Sequence, residues 1–295
     1  MEHRLKGVGV ALITPFNEDN TVDFAGLKKL IDYNSENGTD YFVVNGTTGE
    51  SATTTNEEKL AILDFVKKNN SKKLPIVYGI GSNNTAEVIY KLKNTDLSGV
   101  DAILSVCPYY VKPSQAGIIA HFKAIADASP LPVILYNVPG RTVTSMQVST
   151  IMELSKYPNI IGLKDASCSM EIALELSKKL PSEFLLVSGD DNLVTPQISL
   201  GYRGVISVIA NGFPKEFAEM THAALDGDFK KASKIQERFL DFDTLLYVES
   251  NPVGIKMVCE IRGICDGRVR LPLVKATDGL RSQLIESMKK EGFLN

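Results

Sequence analysis

The chain has 295 residues, 44% hydrophobic and 23% charged, a balance that supplies a large apolar core and excludes disordered, collagen-like and membrane-spanning classes. Lys and Arg number 32 against 35 Asp and Glu, a formal net charge of −3, so no basic field exists to hold nucleic acid or an anionic membrane. A small-molecule partner is expected, and the length alone leaves one domain or two open.

The residues Met1 to Lys6 lead into an apolar stretch, 7–13, that is too short to span a bilayer and lacks a small-residue cleavage site, so a cytoplasmic protein is expected. Short apolar runs suited to buried strands then recur at 8–13, 41–44, 75–80, 101–106, 132–136, 160–163, 184–188 and 204–208. Between them lie segments of helical period. Residues 23–37 place Leu27, Leu30 and Ile31 on one face and Gly38 as a stop; Thr55 and Glu58 form a capping box; Thr85 is the expected cap of the next helix. After 208 the pattern is helical only, at 215–225, 229–247, 252–262 and 276–291. Eight strand–helix repeats followed by helices predict an α/β fold, a (β/α)8 TIM barrel over 1–227 with a C-terminal helical domain over 228–295. A doubly wound open sheet usually needs only five or six strands.

Chemistry in a barrel sits after the strands, at their C-terminal ends. Lys164 ends an apolar run, where an ammonium is poorly solvated and the free amine needed for attack on a carbonyl is favoured. A lysine snorkelling from a strand end is the plainer reading. Tyr136 ends the preceding strand and could pass protons at Lys164, or simply fill the barrel top. Gly46-Thr47-Thr48-Gly49 offers two hydroxyls and backbone N–H groups to a small carboxylate, against a plain turn. Arg141, after Pro139-Gly140, offers a planar fork to a second carboxylate, against mere surface exposure.

Other signals point away from cofactors. Cys107, Cys168, Cys259 and Cys265 have no C-x-x-C spacing and no histidine at metal-ligand spacing, and are expected as buried free thiols. His3, His121 and His222 lie in no nucleophile elbow and no H-E-x-x-H pattern. The stretch 79–84 lacks the third glycine of a dinucleotide loop, and Asp190-Asp191 reads as a helix cap rather than a metal site.

The ordered motifs GTTGES (46–51), PYY (108–110), YNVPGRT (136–142), GLKDAS (162–167), SGDD (188–191) and GVISV (204–208) resemble those of the dihydrodipicolinate synthases, from Gly7 to the region of Arg270, Leu271 and Pro272. The resemblance implies a class I aldolase that condenses pyruvate with L-aspartate 4-semialdehyde in lysine and diaminopimelate biosynthesis, with a covalent Schiff base and no cofactor or metal. It makes Lys164 the Schiff-base lysine, Tyr136 the proton donor and acceptor, and Thr47 and Tyr110 the rest of a relay, Tyr110 coming from a neighbouring subunit. It assigns pyruvate binding to Thr48 and Ile206, with Gly189 lining the pocket, and the semialdehyde carboxylate to Arg141. It implies a homotetramer, a dimer of dimers, although the sequence leaves dimer against tetramer open. An allosteric lysine pocket would comprise Ser51, Ala52, Asn83, Glu87 and Tyr109; Asn56 and Lys59 depart from the lysine-sensitive pattern, so weak or absent feedback is expected. Related lyases, such as N-acetylneuraminate lyase and the keto-deoxy-sugar-acid aldolases, share the lysine and tyrosine, but Arg141 and the doubled threonine favour the synthase. A non-catalytic sensor or scaffold on the same barrel is the alternative of another class, and a nucleotide-binding α/β protein is a further one. The tail is expected to serve packing and assembly and to supply no residue to the chemistry.

Overall fold

In the computed structural model, which describes residues 4–294, all eight expected strands close into one parallel barrel in sequential order. His3 and the other residues before Arg4 lie outside the described residues. The strands are β1 (Gly7–Ala11), β2 (Tyr41–Val44), β3 (Ile76–Gly79), β4 (Ala102–Val106), β5 (Val133–Asn137), β6 (Ile160–Asp165), β7 (Leu185–Ser188) and β8 (Gly204–Ser207). β8 pairs back onto β1, with Ile206 opposite Gly9. The helices of the repeats are α1 (Phe24–Glu36), α2 (Asn56–Asn69), α3 (Thr85–Asn94), α4 (Gln115–Ala128), the short α5 (Pro139–Thr142), α6 (Val148–Leu154), α7 (Met170–Lys179), α8 (Val194–Ser199) and α9 (Pro214–Leu225). The tail forms α10 (Phe229–Val248), α11 (Val253–Ile261) and α12 (Asp278–Lys290).

Alternation along each strand divides the core in two. Val43, Val77, Leu104, Ile134, Val187 and Ile206 fill the barrel interior. Their neighbours Phe42, Ile103, Leu135, Leu163, Leu186 and Val205 pack outward against the helices. The strands read as continuous apolar runs because both faces are covered. Strand bounds match the apolar runs to within two residues; β5 and β6 run past the ends of theirs because Asn137 and Asp165 continue the ladder as partners.

Helix ends follow side-chain chemistry. Asp23 caps α1, and Gly38, at φ +92°, ends it in the left-handed region that glycine enters without cost. The Thr55–Glu58 capping box forms in both directions. The cap of α3 is Asn84, not Thr85: Asn84 accepts from the N–H groups of Ala86 and Glu87, while the Thr85 hydroxyl pairs with His121 Nδ1 at 2.8 Å. Burial pushes His121 down to about 4, so it stays neutral against the barrel. The cysteines also divide: Cys107 and Cys259 are buried and Cys265 is half-buried, but Cys168 is exposed, in the left-handed turn between β6 and α7.

Gly227 and the Asp228 cap separate α9 from α10 without a linker. Phe213 and Phe217 of the barrel meet Phe239, Phe242 and Phe293 of the tail, with Phe239 and Phe293 stacked 4.7 Å apart. No described helix is long and apolar enough to cross a membrane.

Candidate active site

A cavity of about 910 Å³ opens at the C-terminal ends of the strands. Lys164 stands on β6 in register with Tyr136 on β5, and both line the cavity. Inward parity, opposite to that of Leu163, turns Lys164 into the barrel mouth, where it is only 6% exposed, so it does not snorkel to the surface. Its Nζ lies 4.3 Å from the centroid of the Tyr136 ring. The next residue, Asp165, anchors the strand end by accepting from Tyr202 Oη at 2.8 Å and from the Ser167 N–H at 3.0 Å.

Gly189, after β7, abuts the lysine. A β-carbon there would come within 3.0 Å of Lys164 Cε and 2.8 Å of Ala166 Cβ, so the absence of a side chain makes room for Lys164. Ile206 is buried in the inner core with Tyr136 and Val187. Neither Gly189 nor Ile206 is on the cavity wall; Gly189 sits against Lys164, and Ile206 belongs to the inner core.

The hydroxyl loop is a tight 3-10 turn, Thr47–Gly49. Gly49 N–H bonds Gly46 O, Glu50 N–H bonds Thr47 O, and Thr14 Oγ1 donates to Gly49 O at 2.7 Å. With those two N–H groups used inside the turn, the N–H groups of Thr47 and Thr48 have no protein acceptor among the described residues, which suits them to an anion. Thr48 is buried and Thr47 exposed, and both line the cavity.

Arg141 reaches the same cavity from α5. Asn137 Oδ1 accepts from Met146 N–H, and the Thr142 hydroxyl donates to the carbonyls of Val138 and Thr144, so the loop carrying Arg141 is folded onto the end of β5. The guanidinium points to the Asn251 carbonyl at 3.5 Å and is otherwise exposed. Tyr110 does not join the cavity of its own chain. It is 87% exposed with φ +71°, whereas its neighbour Tyr109 lines the wall.

Ser51, Ala52, Asn83, Glu87 and Tyr109 form one wing of the cavity, together with Asn56 and Lys59. Glu87 accepts from Ser82 Oγ at 2.8 Å and from Lys91 Nζ at 2.5 Å. Burial first, and the Lys91 charge second, hold the Lys59 ammonium below the usual lysine range, with Glu87 opposing.

Asp190 acts as a cap, accepting from Asn192 N–H at 3.0 Å. Asp191 is buried and holds the end of β8 by accepting from the N–H groups of Val208 and Ile209. Burial raises it to about 6, and raises its neighbour Asp243 on α10 to about 8 with help from the Asp191 charge. Among the described residues no group of three or more His, Cys, Asp or Glu is placed to hold a metal ion.

The tail reaches the site, contrary to expectation. Ser250, Asn251, Pro252, Pro272 and Leu273 line the cavity, and Asn251 Nδ2 donates to Thr48 Oγ1 at 3.1 Å. In the sequence Asn251 falls in the gap between the helical stretches 229–247 and 252–262; a polar residue just before an apolar helix is the available signal, but only the packing of the tail over the barrel mouth gives it a partner.

The dihydrodipicolinate synthetase family model matches residues 4–291. A 4-hydroxy-tetrahydrodipicolinate synthase of Cytophaga hutchinsonii is 51% identical over 278 residues, 94% of each chain. The crystal structure of a dihydrodipicolinate synthase from Aquifex aeolicus superposes with a TM-score of 0.93 at 39% identity, covering 98% of both chains. One from Cyanidioschyzon merolae with lysine bound superposes at 0.94 and 39% identity, covering 99% of this chain and 100% of that one.

Proposed function

The chain belongs to the dihydrodipicolinate synthetase family, and from that premise we propose that it condenses pyruvate with L-aspartate 4-semialdehyde to give 4-hydroxy-tetrahydrodipicolinate, on the route to lysine and diaminopimelate. The observation that carries this reading is the buried Lys164 amine in the barrel mouth, 4.3 Å over the Tyr136 ring, in one cavity with Thr47, Thr48 and Arg141.

Free Lys164 attacks the keto carbon of pyruvate, and loss of water gives a protonated imine. The imine withdraws electrons from the methyl carbon, which loses a proton to become an enamine. The enamine carbon attacks the aldehyde of the second substrate, whose amine then closes on the imine carbon and expels Lys164. The Tyr136 phenol carries the protons, in relay with Thr47 and with Tyr110 from a second copy of the chain. Thr48 holds the pyruvate carboxylate, with Ile206 and Gly189 packed behind the cavity wall, and Arg141 takes the carboxylate of the semialdehyde through charge-assisted hydrogen bonds. The covalent imine supplies the electron sink, so the scheme uses no cofactor.

Residues 1–227 serve as the catalytic barrel and 228–295 as a helical domain that packs over its mouth. The motifs imply a homotetramer built as a dimer of dimers; pairing of at least two copies is supported by Tyr110, whose exposed phenol lies outside its own cavity and is available to a neighbour's. The enzyme is assigned to the cytoplasm. The cavity wing around Ser51, Ala52, Asn83, Glu87 and Tyr109 is the place for a lysine effector, but the Lys59 ammonium beside Lys91 opposes a cationic ligand there. A coupled assay supplying both substrates tests the activity: turnover requires pyruvate and aspartate semialdehyde together, and no turnover with that pair would refute it.

A further inference from the structure

Glu50 and Lys256 make an ion pair closed to water, their side chains 2% and 0% exposed. Glu50 caps the barrel's hydroxyl turn, directly after Gly49, and Lys256 lies on α11 of the tail. Lys256 Nζ donates to Glu50 Oε1 and to the Arg268 carbonyl at 2.7 Å, and stands 4.1 Å over the Phe16 ring. The second carboxylate oxygen, Oε2, accepts from Arg270 N–H at 3.0 Å. Glu50 also holds a left-handed backbone, φ +54°, from which its N–H closes on Thr47 O and its carbonyl accepts from Thr53 N–H.

Two charges withdrawn from water are weak stabilisers compared with apolar side chains of the same volume. What this pair provides is geometry: each hydrogen bond has a fixed direction, and together they tie the turn to α11. Just before that helix, Asn251 ties the same turn at Thr48. We propose that Glu50 and Lys256 are positioning residues that clamp the Thr47–Thr48 turn to the tail and so set the distance between the pyruvate carboxylate site and Lys164. The clamp makes α11 part of the pyruvate site although none of its side chains need touch the substrate. It rests on the reading of Lys164 as the Schiff-base lysine.

The test replaces both charges by neutral groups of similar shape, Glu50→Gln with Lys256→Met, which leaves no lone buried charge. Because a displaced turn misplaces both the pyruvate carboxylate at Thr48 and the relay hydroxyl of Thr47, a folded variant should show a KM for pyruvate raised about tenfold or more together with a lower kcat, while the KM for the semialdehyde changes much less. A folded variant with an unchanged pyruvate KM overturns the clamp. If the variant does not fold, hydrogen exchange of the wild-type protein decides: after pyruvate is trapped on it by borohydride, peptides 46–54 and 253–261 should gain protection together. Protection confined to the barrel peptide overturns the proposal. Failure of the wild-type protein to trap pyruvate at all is a different outcome, which refutes the Schiff-base reading and with it the premise of the clamp.

Discussion

Replacing Gly189 with alanine adds a single carbon at the point where the barrel wall meets the reactive lysine. The backbone there needs no positive φ, so the effect is crowding alone: the new carbon would stand 2.8 Å from Ala166 Cβ, 3.0 Å from Lys164 Cε and 3.1 Å from the Asp165 carbonyl oxygen. Ordinary carbon–carbon contact is about 3.5–4.0 Å. Ala166 and the Asp165 carbonyl are fixed to β6 and the turn after it, so the segment carrying residue 189 must move off them, and the flexible Lys164 side chain gives way as well, by roughly half an ångström. Displacement on the order of 1 Å costs about a hundredfold in a positioned reaction, so imine formation should slow by about tenfold to a hundredfold. Stability should fall by only about 1–3 kcal/mol, the usual cost of one extra methyl in a packed interior. The assay is the rate of pyruvate trapping by borohydride, followed beside thermal melting. A Gly189→Ala protein that melts near the wild-type temperature and traps pyruvate at the wild-type rate would refute the claim that this glycine keeps Lys164 in line.

Arg141→Ala should raise the KM for aspartate semialdehyde by about tenfold to a hundredfold, the loss of one charge-assisted contact, with pyruvate trapping little changed; equal steady-state kinetics with the semialdehyde would remove Arg141 from the site. Asp243 binds a proton more tightly folded, at about 8, than unfolded, so the stability linked to it is full below the unfolded carboxylate range and is lost progressively as pH rises from there to that value. Asp243→Asn should therefore raise the melting temperature relative to wild type at pH 8.5 and much less at pH 5, and a pH-independent difference would contradict the assignment. Lysine should inhibit weakly or not at all because Lys59 faces the cavity wing; strong inhibition by micromolar lysine in the coupled assay would show that the ammonium does not govern that wing.

Barrel architecture was legible because buried parallel strands carry their own signature, apolar runs bounded by turn residues, and because eight of them closed the count. The same logic exposed Lys164, since a lysine at the end of such a run is out of place unless it faces the mouth. Caps were legible only where one side chain had no competitor: Thr55 met Glu58, but Thr85 lost to Asn84 because its hydroxyl had His121 as a partner on α4. Exposure of Cys168 follows from a left-handed turn that its residue type does not announce. The role of the tail was hidden for a related reason. Asn251 and Lys256 acquire their partners, Thr48 and Glu50, from more than two hundred positions away, and no local pattern specifies such a pairing. Lys256 did carry a trace, a charge flanked by apolar residues in the helical stretch 252–262.

The most direct measurement of the central claim is mass spectrometry of the protein after borohydride reduction in the presence of pyruvate. The peptide containing Lys164 should carry one reduced pyruvate, and Lys164→Ala should carry none. An unmodified Lys164 peptide, or pyruvate fixed on another lysine, would contradict the account.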